Sequence, residues 1–347
     1  MSAASPANTN SPMLHGRNDP LELEGAAALP GERVQGYLTV GESHDGAAAR
    51  VPFVLIRGRN PGKVVYIQAV SDGDELNGAA VAHRLLRRTD PEQLCGGLIV
   101  VPVANIQAFR ARTAYNPVDG RKLNRCFPGC PDGSASQRLA HALFQAVLKA
   151  DICIDLHQGG VRPMIDEVRV RTAPDHPAHS ACMELALLFG VGYILDEQGP
   201  AGQLAQEAPD RGIPAIDPEL GGCHGFDENS VQKGLRGVMN ILRYHGLIEG
   251  EADVPARQTL VRGFVSVRCN RGGFADLHVK LYDRVEAGQT IATMRNLFDE
   301  PLETIAAPVS GVVWTTPLYP SASAGESILT IGANPETVEW PPPNADG

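Results

Sequence analysis

Short apolar runs of strand length alternate with helical patterns from about residue 50 to residue 245. The clearest runs are VVYIQAV at 64–70, LIVVPVAN at 98–105 and ICIDLH at 152–157, and SQRLAHALFQAVLKA at 136–150 has apolar residues at helical spacing. This alternation predicts an α/β domain whose mainly parallel or mixed sheet is covered by helices on both faces. Ligands of such sheets bind beyond the carboxyl ends of the strands, so polar residues at those ends are the first candidates for a site.

The pattern changes after about residue 255, where short alternating strands and many glycines predict a smaller C-terminal all-β domain. Its segments DRVEAGQTIATM at 283–294 and IAAPVSGVV at 305–313 are similar to the half-barrels of biotinyl and lipoyl carrier domains. Those carriers display a lysine on a tight turn, whereas the equivalent stretch here, FDEPLE at 298–303, has none. We therefore expect a structural module that packs over the pocket and narrows the choice of substrate.

These patterns divide the chain into four parts. We expect a disordered lead-in over residues 1–30, a main domain over 31–250, a half-barrel or sandwich-like β domain over 255–333, and a loose Pro-rich tail over 334–347. The main domain and the β domain meet near EGEADVPARQ at 249–258, where neither pattern continues.

The composition limits the partners that the protein can have. A formal net charge of −10 argues against non-specific nucleic-acid binding, which depends on Lys and Arg neutralising phosphates. The sequence has no apolar run near the ~20 residues of a membrane span, and its N-terminus lacks the basic and apolar regions of a signal peptide. The 7 cysteines are irregularly spaced, which indicates reduced thiols. We therefore expect a cytoplasmic protein that acts on a small molecule, with no nucleic-acid or membrane partner.

Three polar residues follow two of the predicted strands. Asp72 and Glu75 lie three apart where the strand ending at Val70 gives way to a helix, and His157 ends the strand ICIDLH. Brought together by the fold, the three could bind a metal and leave one position open for water. Alternatively, SDGDELNG at 71–78 is only a turn whose acids favour a helix N-terminus.

Four motifs in order favour the metal site. They are VSDGDELNG at 70–78, VPVANIQAFRARTAYNPVDGRKLNRCFPG at 101–129, ADICIDLHQGG at 150–160 and IPAIDPELGG at 213–222. With these motifs, most of residues 45–333 resemble the succinylglutamate desuccinylase/aspartoacylase family, a branch of the zinc carboxypeptidase-like fold. The family patterns for the four are G-x-H-G-D-E-x-x-G, VPxxNPxA…R…DxxDLNRxFPG, aDxxiDLHtG and xPaixxElGg.

The resemblance implies roles for four of the residues. Glu75 and His157 match metal ligands, and Asp72 stands where the family has a histidine. Glu219 matches the catalytic glutamate, which takes a proton from water and returns it to the leaving amine. Zinc is the first expectation for the metal. Asp72 makes the ligand set harder and cancels more of the ion's charge, which also allows manganese, iron or cobalt.

The resemblance also implies how the substrate binds. Arg112, Asn124 and Arg125 match substrate-binding positions, which suit the free carboxylate of an N-acyl amino acid, and Arg112 could also stabilise an oxyanion. A second departure lies beside them, since Lys122 replaces the acid of the family's D-L-N-R. Asp72 and Lys122 change the local charge in opposite senses, which suggests the hypothesis of co-adjusted chemistry or an unusual substrate.

The sequence therefore predicts a metal-dependent amidohydrolase, or deacylase, of N-acyl amino acids or related small carboxylated amides. Two alternatives remain open at this point: a non-hydrolytic or non-zinc metalloenzyme on the same fold, and a catalytically inactive homologue that binds a small molecule. A homodimer is a further expectation for an enzyme of this kind.

Overall fold

A mixed sheet of ten strands forms the centre of the protein in the computed structural model, which describes residues 19–223 and 225–341. The strands of the described chain, in order, are β1 (Leu21–Leu23), β2 (Ala26–Ala28), β3 (Glu32–Glu42), β4 (Ala48–Arg57), β5 (Asn60–Ala69), β6 (Cys95–Val101), β7 (Ile152–Leu156), β8 (Glu167–Val170), β9 (Tyr193–Asp196), β10 (Ala215–Glu219), β11 (Arg257–Val261), β12 (Phe264–Arg268), β13 (Gly273–Leu277), β14 (Arg284–Val285), β15 (Thr290–Arg295), β16 (Pro301–Ala306), β17 (Gly311–Thr315), β18 (Ser321–Ala322), β19 (Ser327–Ala333) and β20 (Glu336–Glu339). The α-helices are α1 (Asn77–Arg88), α2 (Ile106–Ala111), α3 (Ala135–Val147), α4 (His179–Phe189), α5 (Leu204–Glu207) and α6 (Glu228–Tyr244).

The spatial order of the large sheet is β20-β11-β9-β8-β10-β7-β5-β6-β4-β3. Its central strands β6, β5, β7 and β10 run parallel, while β8 pairs antiparallel with β10. Strand β5 and strand β7 are apolar along most of their length because both of their faces are covered. The predicted α/β class with a mixed sheet is confirmed.

Helices cover both faces of this sheet. Helices α1, α4 and α6 share one core, into which α1 directs Val81, Ala82 and Leu85. Helix α3 directs Leu139 and Leu143 into the core on the opposite face. None of the helices in the described part of the chain has the length and apolar character that a membrane crossing requires.

The C-terminal module consists of two antiparallel four-stranded sheets, β12-β19-β17-β14 and β16-β15-β13-β18, which enclose a separate apolar core. This agrees with the predicted smaller all-β domain. The module begins later than residue 255, however, because β11 pairs parallel with β9 and belongs to the large sheet.

Both predicted ends of the chain need correction. Residues 1–18 lie outside the described residues, but β1 and β2 form a hairpin within the expected lead-in, with Leu21, Leu23 and Ala28 buried in the core beneath α3. In the expected loose tail, β20 pairs with β11 at the edge of the large sheet, and residues 342–347 lie outside the described part. Both segments are ordered because they complete apolar or hydrogen-bonding surfaces of the main domain.

Candidate active site

The loop between β5 and α1 holds the first two predicted ligands, Asp72 and Glu75. Gly73 lets this loop pass against α2, because a Cβ at that position would stand 2.0 Å from the carbonyl carbon of Ala108. The Gly73 amide donates to Thr113 O at 2.9 Å and fixes the approach. The sequence SDGDE therefore needs its glycine for close packing, and this packing aims both acids past the strand end.

His157 follows β7 and is held between carboxylates. Its Nδ1 lies 3.0 Å from Glu75 Oε2, and its Nε2 lies 3.0 Å from Asp155 Oδ2. Burial alone lowers the pKa of His157, but the charges of Asp155 and Asp217 and the hydrogen bonds to carboxylates outweigh it and hold that pKa well above its ordinary value. Glu75 also accepts a hydrogen bond from the Gln158 amide at 3.0 Å, so this pair is fixed on both sides.

The two departures from the family motifs touch each other. Lys122 Nζ donates to Asp72 Oδ2 at 2.7 Å, and it also lies 5.5 Å from the centre of the Tyr115 ring. Burial lowers the pKa of Lys122, but the hydrogen bond to Asp72 and the charge of Asp72 raise it by more. The pKa therefore lies above its ordinary value, and the ammonium stays charged. Asp72 Oδ1 is buried and has no hydrogen-bond partner among the described residues. Asp72 and Lys122, the two residues that depart from the family motifs, thus form a direct ion pair.

Glu219 ends β10 beside His157, to which it is joined by a parallel bridge. Arg169, on the neighbouring strand β8, brings Nη1 to 2.7 Å from Glu219 Oε1, whereas Glu219 Oε2 is buried without a partner in the described chain. Burial raises the pKa of Glu219 to about 8 against the lowering effect of Arg169. The carboxyl group is therefore held at one oxygen and tuned toward neutral pH.

These side chains line one cavity of about 460 Å³ at the carboxyl edge of β5, β7 and β10. Asn124 reaches it from a 3₁₀ turn, with Nδ2 3.1 Å from His157 Nε2 and Oδ1 accepting from the Leu204 amide. Arg125 lines the same cavity and is exposed at its mouth. The structure thus brings together Asp72, Glu75, His157, Glu219, Asn124 and Arg125.

Arg112 is not brought into this cavity. It caps the carboxyl end of α2 in the left-handed conformation, with φ 54°, and its side chain is exposed. It lines a neighbouring depression that also contacts Phe109 and Gly225. The structure therefore places Arg112 outside the cavity lining, and its oxyanion and substrate roles stay predictions.

Sequence reasoning missed Arg169, Asp155 and Asp217. Arg169 lines the cavity wall, Asp155 supports His157, and Asp217 Oδ2 accepts from Arg171 Nε at 3.3 Å. Their signal was charged residues within otherwise apolar strands, at alternate positions in EVRVRT at 167–172 and AIDPE at 215–219 and singly in ICIDL at 152–156. Such alternation places the charges on one face of each strand.

The donors suit a divalent cation in type: two carboxylates and an imidazole whose other nitrogen is held by Asp155. Asp72 Oδ1, buried and unpartnered in the described chain, is an available oxygen. Among residues 19–223 and 225–341, however, no group of three His, Cys, Asp or Glu side chains is arranged to hold a metal as it stands. Glu75 and His157 bond to each other instead, so an ion must replace that hydrogen bond.

Residues 61–245 match the model of the succinylglutamate desuccinylase/aspartoacylase catalytic domain. The chain belongs to this family. The resemblance read from the four motifs is confirmed. At this coarse level the chain is a hydrolase of amide bonds, since the family is named for deacylases.

Two further relatives of the family cover nearly the whole chain. The N-alpha-acetyl-L-2,4-diaminobutyric acid deacetylase of Halomonas elongata is 28% identical over 330 residues, which are 91% of this chain and 96% of that protein. The crystal structure of a succinylglutamate desuccinylase/aspartoacylase from Rhodobacter sphaeroides is 28% identical, with a TM-score of 0.76, covering 88% of this chain and 95% of that one.

A third comparison supports the fold alone. The product-bound ectoine utilization protein EutE (DoeB) of Ruegeria pomeroyi has a TM-score of 0.79 at 23% identity, covering 92% of this chain and 99% of that one. The family fold therefore extends through the C-terminal module.

Proposed function

We propose that this family member is a metal-dependent deacylase that cleaves the amide bond of an N-acyl amino acid. The observation that supports it is the meeting of Asp72, Glu75, His157 and Glu219 at the adjacent ends of β5, β7 and β10. A ligand set and a separate, buried acid–base group are what metal-assisted hydrolysis needs in one cavity.

Asp72, Glu75 and His157 would hold the metal, with zinc the first expectation and manganese, iron or cobalt the alternatives. A divalent ion bound there would polarise the amide carbonyl and increase the acidity of water. The three side chains are buried, with 5%, 8% and 6% of their residue surfaces exposed, so water would screen their attraction for a cation only weakly.

Glu219 moves the proton. In its ionised form it takes a proton from the attacking water, whose oxygen forms the new bond to the acyl carbon. It then gives that proton to the departing nitrogen as the carbon–nitrogen bond breaks, which yields a carboxylic acid and an amine. Arg169 holds Oε1 throughout, so Oε2 is the oxygen that is free to exchange the proton.

Arg125 and Asn124 supply the substrate contacts. Arg125 presents a guanidinium at the cavity mouth, where it can bind a carboxylate at two points. Acidic side chains outnumber lysine and arginine in the lining of the cavity, which favours a substrate with a cationic side chain. N-acetylated diamino acids, the substrate class named for the Halomonas relative, therefore belong in the first panel.

Removing the metal should abolish the activity. We expect the protein, purified without a histidine tag or added metal, to contain near-stoichiometric metal and to release amines from one class in a panel of N-acetyl amino acids with acidic, neutral and basic side chains. Dialysis against a chelator should lower the rate of amine release at least about 100-fold, because the metal supplies the Lewis acid. Adding the same metal back should restore that rate.

The same measurements separate the alternatives. Iron with oxygen consumption in place of amine release would favour the non-hydrolytic enzyme. Substrate binding without metal and without turnover would favour the inactive homologue and overturn the proposal.

The Arg169→Met variant should shift the pH profile. The Arg169 charge lowers the pKa of Glu219, so its removal raises that pKa further above the ordinary value. Since Glu219 must be ionised to accept a proton, activity declines as the pH falls through its pKa. We expect the acid limb of kcat/KM to move to higher pH and the rate at pH 7 to fall about tenfold. An unmoved acid limb in a folded variant would contradict this account.

A further inference from the structure

The C-terminal module contacts the cavity wall from behind, through β17. The amide of Ile165 donates to Trp314 O at 3.1 Å, and the amide of Thr316 donates to Pro163 O at 3.1 Å. Between these bonds Met164, which lines the cavity, forms an antiparallel bridge with Thr315. The module is therefore bonded directly to the segment that precedes β8.

A chain of buried polar contacts runs from this contact to Glu219. Trp314 Nε1 donates to Glu167 Oε2 at 2.8 Å, and Arg169 Nε donates to Glu167 Oε1 at 2.7 Å. Arg169 Nη1 in turn lies 2.7 Å from Glu219 Oε1. Trp314 and Glu167 are fully buried, so each bond forms where water does not compete.

We propose that Trp314 is a positioning residue for Glu219, acting through Glu167 and Arg169. This inference rests on the proposed role of Glu219. Trp314 occupies one oxygen of Glu167, which leaves the other for Arg169 Nε alone. A carboxylate with both oxygens free favours two parallel hydrogen bonds from one guanidinium. Because only one oxygen of Glu167 is available, Arg169 directs Nη1 at Glu219 instead.

The indole is itself fixed by aromatic packing. Its ring meets Tyr193 edge-on at 5.7 Å between centroids and lies 5.4 Å from Phe264. These contacts set the direction of the Nε1–H bond, and the indole has no other polar atom. The module thus contributes one directed donor to the support of the catalytic carboxyl group.

Trp314→Phe tests the inference, because it keeps an aromatic ring in this packing and removes only the donor and part of the ring. We expect kcat to fall about tenfold with KM within twofold, and the acid limb of kcat/KM to move, since a displaced guanidinium no longer lowers the pKa of Glu219. Trp340→Phe is the matched control, because Trp340 packs against Tyr244 at the far edge of the large sheet. It should keep the wild-type kcat and pH profile.

A folded Trp314→Phe protein with wild-type kcat and acid limb would overturn the inference. Should this variant not fold, Glu167→Gln provides the same test, because it removes the carboxylate that links Trp314 to Arg169. Unchanged kcat and pH profile in Glu167→Gln would equally overturn it. Full activity in Glu219→Gln would instead overturn the proposed function, so the two failures are distinguishable.

Discussion

Replacing Glu219 with Gln is expected to lower kcat about 10³-fold, or about 4 kcal/mol of activation free energy, with the metal still bound. Gln keeps an oxygen that can accept from Arg169 Nη1, so the contact at 2.7 Å survives. It cannot accept and return a proton, and this is the function that the unpartnered Oε2 serves. The measurement is kcat and KM for amine release, with elemental analysis of the same sample.

The control for this variant is Glu286→Gln, the same change on the exposed surface of the C-terminal module. It should keep the wild-type rate and metal content. Near-normal turnover in a metal-loaded Glu219→Gln protein would remove Glu219 from the mechanism and leave the proton transfer without a group to perform it.

Replacing Glu75 with Gln is expected to weaken metal binding about 10³-fold and to abolish amine release unless metal is added in excess. This loss of affinity is roughly a third of the ~12 kcal/mol of a structural zinc site. Gln retains an acceptor for the Gln158 amide, which now donates to Glu75 Oε2 at 3.0 Å, so the loop keeps its shape. Gln lacks the negative charge with which the carboxylate of Glu75 would attract the cation. The measurement is metal affinity by chelator competition, with activity at saturating metal.

Two results bear on this second expectation in opposite ways. Activity that returns at high metal concentration identifies Glu75 as a ligand. A variant that binds metal as tightly as the parent protein, with Glu286→Gln as the common control, would exclude Glu75 from the site.

The central part of the site could be predicted from the sequence because the local rules and the fold agree there. Asp72, His157 and Glu219 each follow an apolar run, and β5, β7 and β10 are adjacent parallel strands, so their carboxyl ends meet at one edge. Position in sequence was sufficient to group Asp72, Glu75 and His157, whereas Glu219 was assigned through the family resemblance.

The supporting residues could not be predicted, because their roles depend on strand order. Arg169 reaches Glu219 only because β8 inserts antiparallel beside β10, and no local pattern states which strands pair. Trp314 is further away still, since it acts from another domain. Arg112 follows α2 in the left-handed conformation and lines a neighbouring depression, a placement that its motif does not specify.

The chain ends show the same limit. The run AAA at 26–28 has little strand character by itself, and the segment ETVE at 336–339 is short and mostly exposed. They become strands because β1 and β11 offer them unpaired edges. The pairing partner, not composition, decides such segments.

The pairing of β20 with β11 also determines how the two domains are joined. The chain leaves the large sheet at the end of β11, builds the whole C-terminal module, and returns to the same strand, where Glu336 lies opposite Leu260. The module is therefore an insertion between two neighbouring strands, tethered at both ends. A module inserted in this way can change its loops or lengthen its hairpins during evolution without changing the register of the large sheet. Its point of attachment at β17 is the part that such remodelling must preserve.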